Sequence, residues 1–298
     1  MTGNAPQSIA EYLQQLRAAL AGADPAMIQD ALFDAEEHLR SELAEHPEET
    51  EAAMLARVAG SYGAPEEVAE IYRDTEIKVQ RALRPPRPRP GRGPLARFFG
   101  VIADARSYGA LFYMLLALAT GIFYFTWAVT GLSLSAGLAV LIIGIPFIVL
   151  FFASVRMLAL VEGRLVEVML GVRMPRRPSS SARGLPLLKR IGAMFTDPRT
   201  WGTLLYLLLM LPLGVVYFTL AITGLTLSVA LAAAPFVQGF GIPMTTFNGV
   251  AYFWPLWALP VALLAGVLLF FVVLHLARGV GWLHGHLAKH LLVKLGGY

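Results

Sequence analysis

Residues 108–130 read YGALFYMLLALATGIFYFTWAVT, and residues 201–223 read WGTLLYLLLMLPLGVVYFTLAIT. Neither stretch carries a charged side chain. At about 1.5 Å per residue, each would form a helix of about 35 Å, enough to cross a hydrocarbon core of about 30 Å. A helix bonds its own backbone groups, which lipid cannot do, so both stretches predict transmembrane helices.

The two stretches also resemble one another. Residues 97–135 and 190–228 align without a gap at an offset of 93, with 19 identities in 39 positions. The identities run from Arg97/Arg190 through Asp104/Asp197, Arg106/Arg199, Tyr113/Tyr206, Gly121/Gly214 and Tyr124/Tyr217. They continue through Thr126/Thr219 and Gly131/Gly224 to Ser135/Ser228. Hydrophobic composition does not produce charged and glycine matches of this kind, so the chain reads as a tandem repeat. A second span follows in each copy, near 136–157 and 257–277. Both second spans continue into a cationic stretch in which Arg156, Gly163, Leu165 and Leu170 match Arg278, Gly285, Leu287 and Leu292 at an offset of 122. The second copy therefore has 29 extra residues between its spans, within 229–256.

Composition agrees with a membrane protein: 56% hydrophobic, 15% charged, mean hydropathy +0.61. The charge is divided unevenly. Residues 1–76 carry a net of −12 and the remainder +16. The basic side chains cluster beside apolar runs, where they orient spans and meet anionic lipid, so a nucleic-acid partner is not expected. Lys and Arg fill the segments 81–97 and 172–200 and the C-terminus, whereas 131–135 and 224–256 carry none. The positive-inside rule then gives four spans with both termini cytoplasmic, in a bacterial inner membrane. With two spans per copy, the copies share one orientation and are related by an axis along the membrane normal. The polar, acidic N-terminus does not read as a cleaved signal peptide. Zero cysteines exclude disulfides and thiolate metal sites.

Residues 1–80 read as an acidic helical domain with four helices. Ser8 and Glu11 form a capping box, with Ile9, Leu13, Leu16 and Leu20 on one face. Asp24-Pro25 opens a second helix with a stripe of Ile28, Leu32, Ala35, Leu39 and Leu43. A third covers about 50–59. Pro65 starts a fourth, expected to bury Val68, Ile71 and Tyr72. Tyr62-Gly63-Ala64-Pro65-Glu66-Glu67-Val68-Ala69 resembles the HAAS signalling domain, a short acidic helical module of bacteria, and the likeness spans about residues 8–76. The acidic residues are either a solvated face or a surface that docks a basic partner or the following linker. That linker, 81–97, is rich in Pro and Arg and reads as an extended spacer without helix or strand.

The remaining organisation is transmembrane repeat 1 (98–171), a basic loop (172–189) and transmembrane repeat 2 (190–298). From about residue 95 onward the chain resembles the "putative sensor" transmembrane domain of bacterial membrane proteins. The residues that carry this are Phe195-Thr-Asp-Pro-Arg-Thr-Trp-Gly202, Tyr217-Phe-Thr219, Thr223-Gly-Leu225 and Gly144-Ile-Pro146. The resemblance implies an all-α integral membrane sensor that passes an envelope or lipid-soluble cue to a cytoplasmic partner, a regulator or kinase. An accessory or scaffold subunit of a transporter or envelope enzyme is the alternative, with Gly281-x-x-x-Gly285 as its packing surface.

Candidate residues follow from this. Tyr113, Tyr124 and Thr126, with Tyr206, Tyr217 and Thr219, lie within spans and either bond between helices or line a ligand site. Phe247, Tyr252 and Trp254 belong to the uncharged 229–256 segment and suit an outward-facing ligand surface or an aromatic interfacial cap. Asp104, Arg106, Asp197 and Arg199 stand at span entrances as helix caps or as a coupling ion-pair cluster. Glu162 and Glu167, beside Arg164, read as partners for the basic surface. His284, His286 and His290 read as part of an interfacial basic helix. Neither a metal, a cofactor nor catalytic chemistry is expected, because paired carboxylates, nucleophile–base sets and phosphate-cradling glycine loops are missing from the sequence. Anionic lipid and a cytoplasmic protein are the expected partners, with homo-oligomerisation left open.

Overall fold

A computed structural model describes residues 5–83, 93–141, 144–177, 189, 192 and 195–293. Among the described residues the chain is all-α apart from one small hairpin. Four helices among the described residues are long and apolar enough to cross a membrane: 105–138, 144–170, 198–239 and 258–292. By internal contacts the chain divides into two compact units. One comprises Met1–Arg84, Gly131–Tyr206 and Leu287–Tyr298; the other comprises Pro85–Thr130 and Leu207–His286.

In the first unit, α1 (Ile9–Ala19), α2 (Pro25–Glu45), α3 (Glu51–Val58) and α4 (Pro65–Leu83) form the head. Their starts follow the capping chemistry in the sequence. Ser8 Oγ accepts from Glu11 N at 3.2 Å, Asp24 Oδ1 from Ala26 N at 2.9 Å, and Thr50 Oγ1 from Ala53 N at 3.3 Å. The head core gathers Leu16, Leu20, Ala31, Leu39, Met54 and Val68, with Tyr72 packed at its edge. Ile71 was expected inside but is 61% exposed. At about 100° per residue it lies well away from the face shared by Val68, Tyr72 and Glu76. The ends of the linker also differ from expectation. Arg81–Leu83 complete α4, and Pro94–Phe99 form α5, where proline at the first helical position is well tolerated. Residues 84–92 lie outside the described residues.

The first unit also holds α7 (Gly144–Leu170). It ends at Gly171, whose φ of +69° and N–H bond to Glu167 O at 3.1 Å make a left-handed helix cap that only glycine adopts without strain. Residues 171–177 then run as irregular chain.

α6 (Ala105–Leu138) continues through 131–135, which the absence of charge reads as the connection between the first two spans, and α7 starts at Gly144. Gly131 lies within α6 as a contact point. A Cβ there would lie 1.9 Å from Phe151 Cε2, so the missing side chain is what admits the phenyl ring.

The second unit holds α5, a 3-10 turn at Gly100–Ala103, most of α6 and most of α8 (Pro198–Gly239) and α9 (Ala258–Leu292). α6 and α8 cross backbone to backbone. A Cβ on Gly121 would lie 2.4 Å from Met210 O, and one on Gly214 would lie 2.3 Å from Ala117 O. Glycine permits that approach. α8 and α9 meet in the same way, since a Cβ on Gly266 would lie 2.7 Å from Ser228 O. Ser228 Oγ also donates to Gly266 O at 2.8 Å.

At 42 residues α8 is about 63 Å long, well beyond one bilayer crossing. It leads to the hairpin β1 (Thr245–Phe247) and β2 (Val250–Tyr252), turned by Asn248 and Gly249, both at positive φ. Asn-Gly is the preferred pair for such a two-residue turn. Gln238 pins the hairpin to the end of α8, donating to Trp254 O at 2.7 Å and accepting from Trp254 N at 2.8 Å.

Candidate functional site: the joint between head and spans

The acidic face of the head does dock a basic segment, but that segment is 173–177. Arg173 is 9% exposed and lies between carboxylates from three elements. Its guanidinium reaches Asp30 of α2 at 2.9 Å, Glu76 of α4 at 3.3 Å and Glu167 of α7 at 3.8 Å. Asp30 Oδ1 also accepts the N–H groups of Arg176 and Arg177 at 2.7 and 2.8 Å. Arg177 pairs with Asp34 at 2.9 Å and lies over the Phe33 ring. Gln29 Nε2 donates to Arg177 O at 2.6 Å. The head is thus attached to the end of α7 by a network whose central groups, Asp30, Glu76 and Arg173, are buried.

The titrating groups respond to that burial. Desolvation alone would lower the Arg173 pKa, but Asp30 and Glu76 outweigh it and raise the value, so the guanidinium stays charged. Burial pushes the Asp30 carboxyl above the usual carboxylate range, against the pull of the Arg176 N–H, Arg173 and the Arg177 N–H. Tyr72 donates to Asp34 at 3.1 Å, and burial followed by the Asp34 charge pushes its phenol up. A cleft of about 390 Å³ opens onto the network and is lined by Asp30, Asp34, Tyr72, Glu76, Arg173 and Arg176.

Two further contacts hold the head. Lys289, near the end of α9, pairs with Asp24, the N-cap of α2. Arg199, at the start of α8, donates to Gln29 Oε1 at 2.9 Å.

Buried polar side chains also sit inside the spans. Tyr206 donates to Glu162 Oε1 at 2.8 Å, and Glu162 is 0% exposed. Tyr113 lies 2.6 Å from His284 Nε2 and Tyr217 3.3 Å from His284 Nδ1, with His284 also 0% exposed. Glu162 is therefore not part of the basic surface and His284 is not interfacial, contrary to the sequence reading. Glu167 does meet that surface, accepting from Arg164 at 3.2 Å and Arg176 at 3.1 Å. His286 is exposed and bonds Trp282 O at 2.7 Å.

The other predicted residues divide into groups. Tyr113, Tyr124, Tyr206 and Tyr217 are all buried. Thr126 and Thr219 face outward on the same helices, so they do not join the tyrosines. Phe247, Tyr252 and Trp254 lie on or beside the exposed hairpin. Asp104 and Asp197 cap α6 and α8, accepting from Arg106 N at 3.1 Å and Arg199 N at 3.0 Å. Each carboxylate also reaches an arginine on another helix. Asp104 pairs with Arg278 at 3.4 Å and Asp197 with Arg156 at 3.3 Å. Gly281 and Gly285 are buried within the chain, so that pair is not a surface open to another subunit.

The network at Arg173 was missed because its partners stand 97 and 143 residues away in sequence. Glu162 and His284 did leave a signal. Val155, Glu162 and Val166 fall on one stripe of α7, and Ala277, Gly281, His284, Ala288 and Leu291 on one stripe of α9, at three-, four- and seven-residue spacing.

Residues 113–292 match the family described as "Putative sensor". The chain belongs to that family. No curated protein matches the chain, and no solved structure does. With four apolar helices, it is a sensor-type membrane protein. The sensor-family region begins inside α6 and takes in Glu162, Arg173 and His284, whereas the head precedes it.

Proposed function

We propose that this sensor-family protein is a signal transducer in the bacterial inner membrane, with both termini cytoplasmic. Its spans respond to an envelope or lipid-soluble cue and pass the change to a HAAS-like head, which acts on a cytoplasmic regulator or kinase. The observation that carries this reading is the Arg173 network. It ties α2 and α4 of the head to the last turn of a membrane helix through buried charges. A buried charge that loses a partner is costly, by about 3–5 kcal/mol, so the network favours discrete arrangements over gradual loosening.

The duplication read from sequence is supported by contacts in matching pairs. Asp104–Arg278 and Asp197–Arg156 occupy corresponding positions, as do Tyr113–His284 and Tyr206–Glu162. In each pair, the first span of one copy meets the second span of the other. Signalling and not catalysis is the role this arrangement suits, and the buried groups in the spans serve packing and response.

Affinity purification from native membranes in mild detergent, with mass spectrometry, tests the proposal. The full chain is compared with an Arg173→Gln variant and with a chain lacking residues 1–80. A regulator or kinase recovered with the full chain and lost from both others supports transduction through the joint. A transporter or envelope enzyme retained without the head contradicts it and favours an accessory subunit.

A further inference from the structure

The hairpin between α8 and α9 has two unlike faces. Successive residues of a strand point to opposite sides. The pairs Phe247↔Val250 and Thr245↔Tyr252 therefore share one face, and Thr246↔Ala251 forms the other. Phe247 and Val250 are 67% and 54% exposed, and Phe240, Leu256 and Trp257 beside the strands are more exposed still. A contiguous apolar surface of this kind marks a place where the protein meets something other than water.

α9 fixes the depth of this end. Between Arg199 and Arg278 the chain carries no Lys, Arg, Asp or Glu. Arg278, which pairs with Asp104, therefore marks one edge of the apolar layer. Ala258, the first residue of α9, stands 20 residues before Arg278. That is about 30 Å along the helix, the thickness of a hydrocarbon core. The hairpin ends just before Ala258, so it stands at the opposite edge, held to α8 by the bonds between Gln238 and Trp254.

We infer that the hairpin docks on the lipid surface of that face, with Phe247, Val250 and Tyr252 turned into the bilayer and Thr246 toward water. A two-stranded sheet leaves backbone groups on both outer edges without sheet partners. Hydrocarbon does not satisfy such groups, so the hairpin rests at headgroup depth. Aromatic side chains favour that layer, and Trp254 and Trp257 adjoin the hairpin in it. The apolar surface is continuous with the span itself, where Val261 and Leu264 of α9 are also exposed. With no charge in 224–256, docking runs on apolar burial and needs no anionic headgroup. This placement is independent of the role proposed for the Arg173 joint.

The chain contains no cysteine, so one introduced cysteine carries a spin label at one chosen place. Full-length Phe247→Cys, Val250→Cys and Thr246→Cys variants are labelled in nanodiscs of phosphatidylcholine alone. Collision of each label with oxygen, which concentrates in lipid, is compared with collision with a water-soluble nickel chelate. Leu264→Cys on α9 supplies the lipid reference and Ile71→Cys on the head the water reference, both at exposed positions. The oxygen-to-nickel ratio is expected to approach the lipid reference for the labels replacing Phe247 and Val250. For the label replacing Thr246 it is expected to shift toward the water reference. Water-like ratios at all three positions overturn the proposal. Shielding of the Phe247 and Val250 positions from both reagents also overturns it, because a second copy or another protein then covers the face. Lipid-like ratios on both faces overturn it as well, since the hairpin would then lie within the hydrocarbon.

Discussion

Gly121 and Gly214 stand in matching places and make the same contact in opposite directions. Gly121 sits against the Met210 carbonyl and Gly214 against the Ala117 carbonyl, and an added Cβ would lie 2.4 and 2.3 Å from those oxygens. Met210 is 93 residues after Ala117, just as Gly214 is 93 residues after Gly121. The crossing of α6 and α8 is therefore closely symmetric about its centre. Gly121→Ala and Gly214→Ala are each expected to lower stability by about 1–3 kcal/mol, because backbone cannot move aside as a flexible side chain can. The two losses should agree within about 0.5 kcal/mol, read as unfolding midpoints in nanodiscs; a large loss at one site and none at the other would contradict the symmetry.

Within the spans, Tyr206 needs an acceptor. Glu162→Gln keeps a carbonyl oxygen within reach of its hydroxyl and is expected to fold with little loss. Glu162→Leu removes the carboxylate that this buried hydroxyl donates to, at a cost of about 1–3 kcal/mol. Denaturation of both variants in matched detergent distinguishes them, and equal stability would remove Glu162 as a structural acceptor.

Four spans were legible because uncharged runs of about 23 residues admit little else. The caps at Ser8, Asp24, Asp104 and Asp197 were legible because capping is local chemistry. The connection at 131–135 was misplaced because an uncharged stretch is as compatible with continuing apolar helix as with an external loop. Glu162 was misread from its neighbour Arg164, although residues two apart lie on nearly opposite sides of a helix. Asn248-Gly249 carried a clear hairpin signal inside a segment otherwise read only for its aromatic residues. The joint at Arg173 was not legible in detail. The sequence held an acidic face and several basic segments, and only the folded chain selects which of them meet.

On the head, Ile71 and Val68 lie three residues apart in α4 and differ completely in burial. Ile71→Lys is expected to change head stability by no more than about 0.5 kcal/mol, as exposed substitutions do. Val68→Lys places an ammonium in the core and is expected to unfold the head. Circular dichroism melts of the full chain in detergent check both, and a destabilised Ile71→Lys would mean that α4 covers its outer face.

The joint should also resist salt. Its central groups are largely out of water, where screening is weak, whereas Arg57 with Glu42 and Glu49 forms an exposed cluster. Raising ionic strength from 0.1 to about 1 M is expected to leave protease protection of the 171–177 segment intact. Arg173→Gln is expected to abolish that protection at any salt concentration, while the head core stays folded.

The central claim is that α7 carries a change in the spans to the head through Arg173. Gly131 and Phe151 meet near one end of α7, and Glu167 lies about 24 Å further along it. Hydrogen–deuterium exchange of residues 25–45 and 65–83 in the full chain tests the claim, comparing wild type, Gly131→Ala, Arg173→Gln and the double variant. Gly131→Ala is predicted to alter exchange in α2 and α4 when Arg173 is present and to add nothing when it is replaced. Exchange in the head that ignores Gly131→Ala, or that responds equally with and without Arg173, would contradict the account.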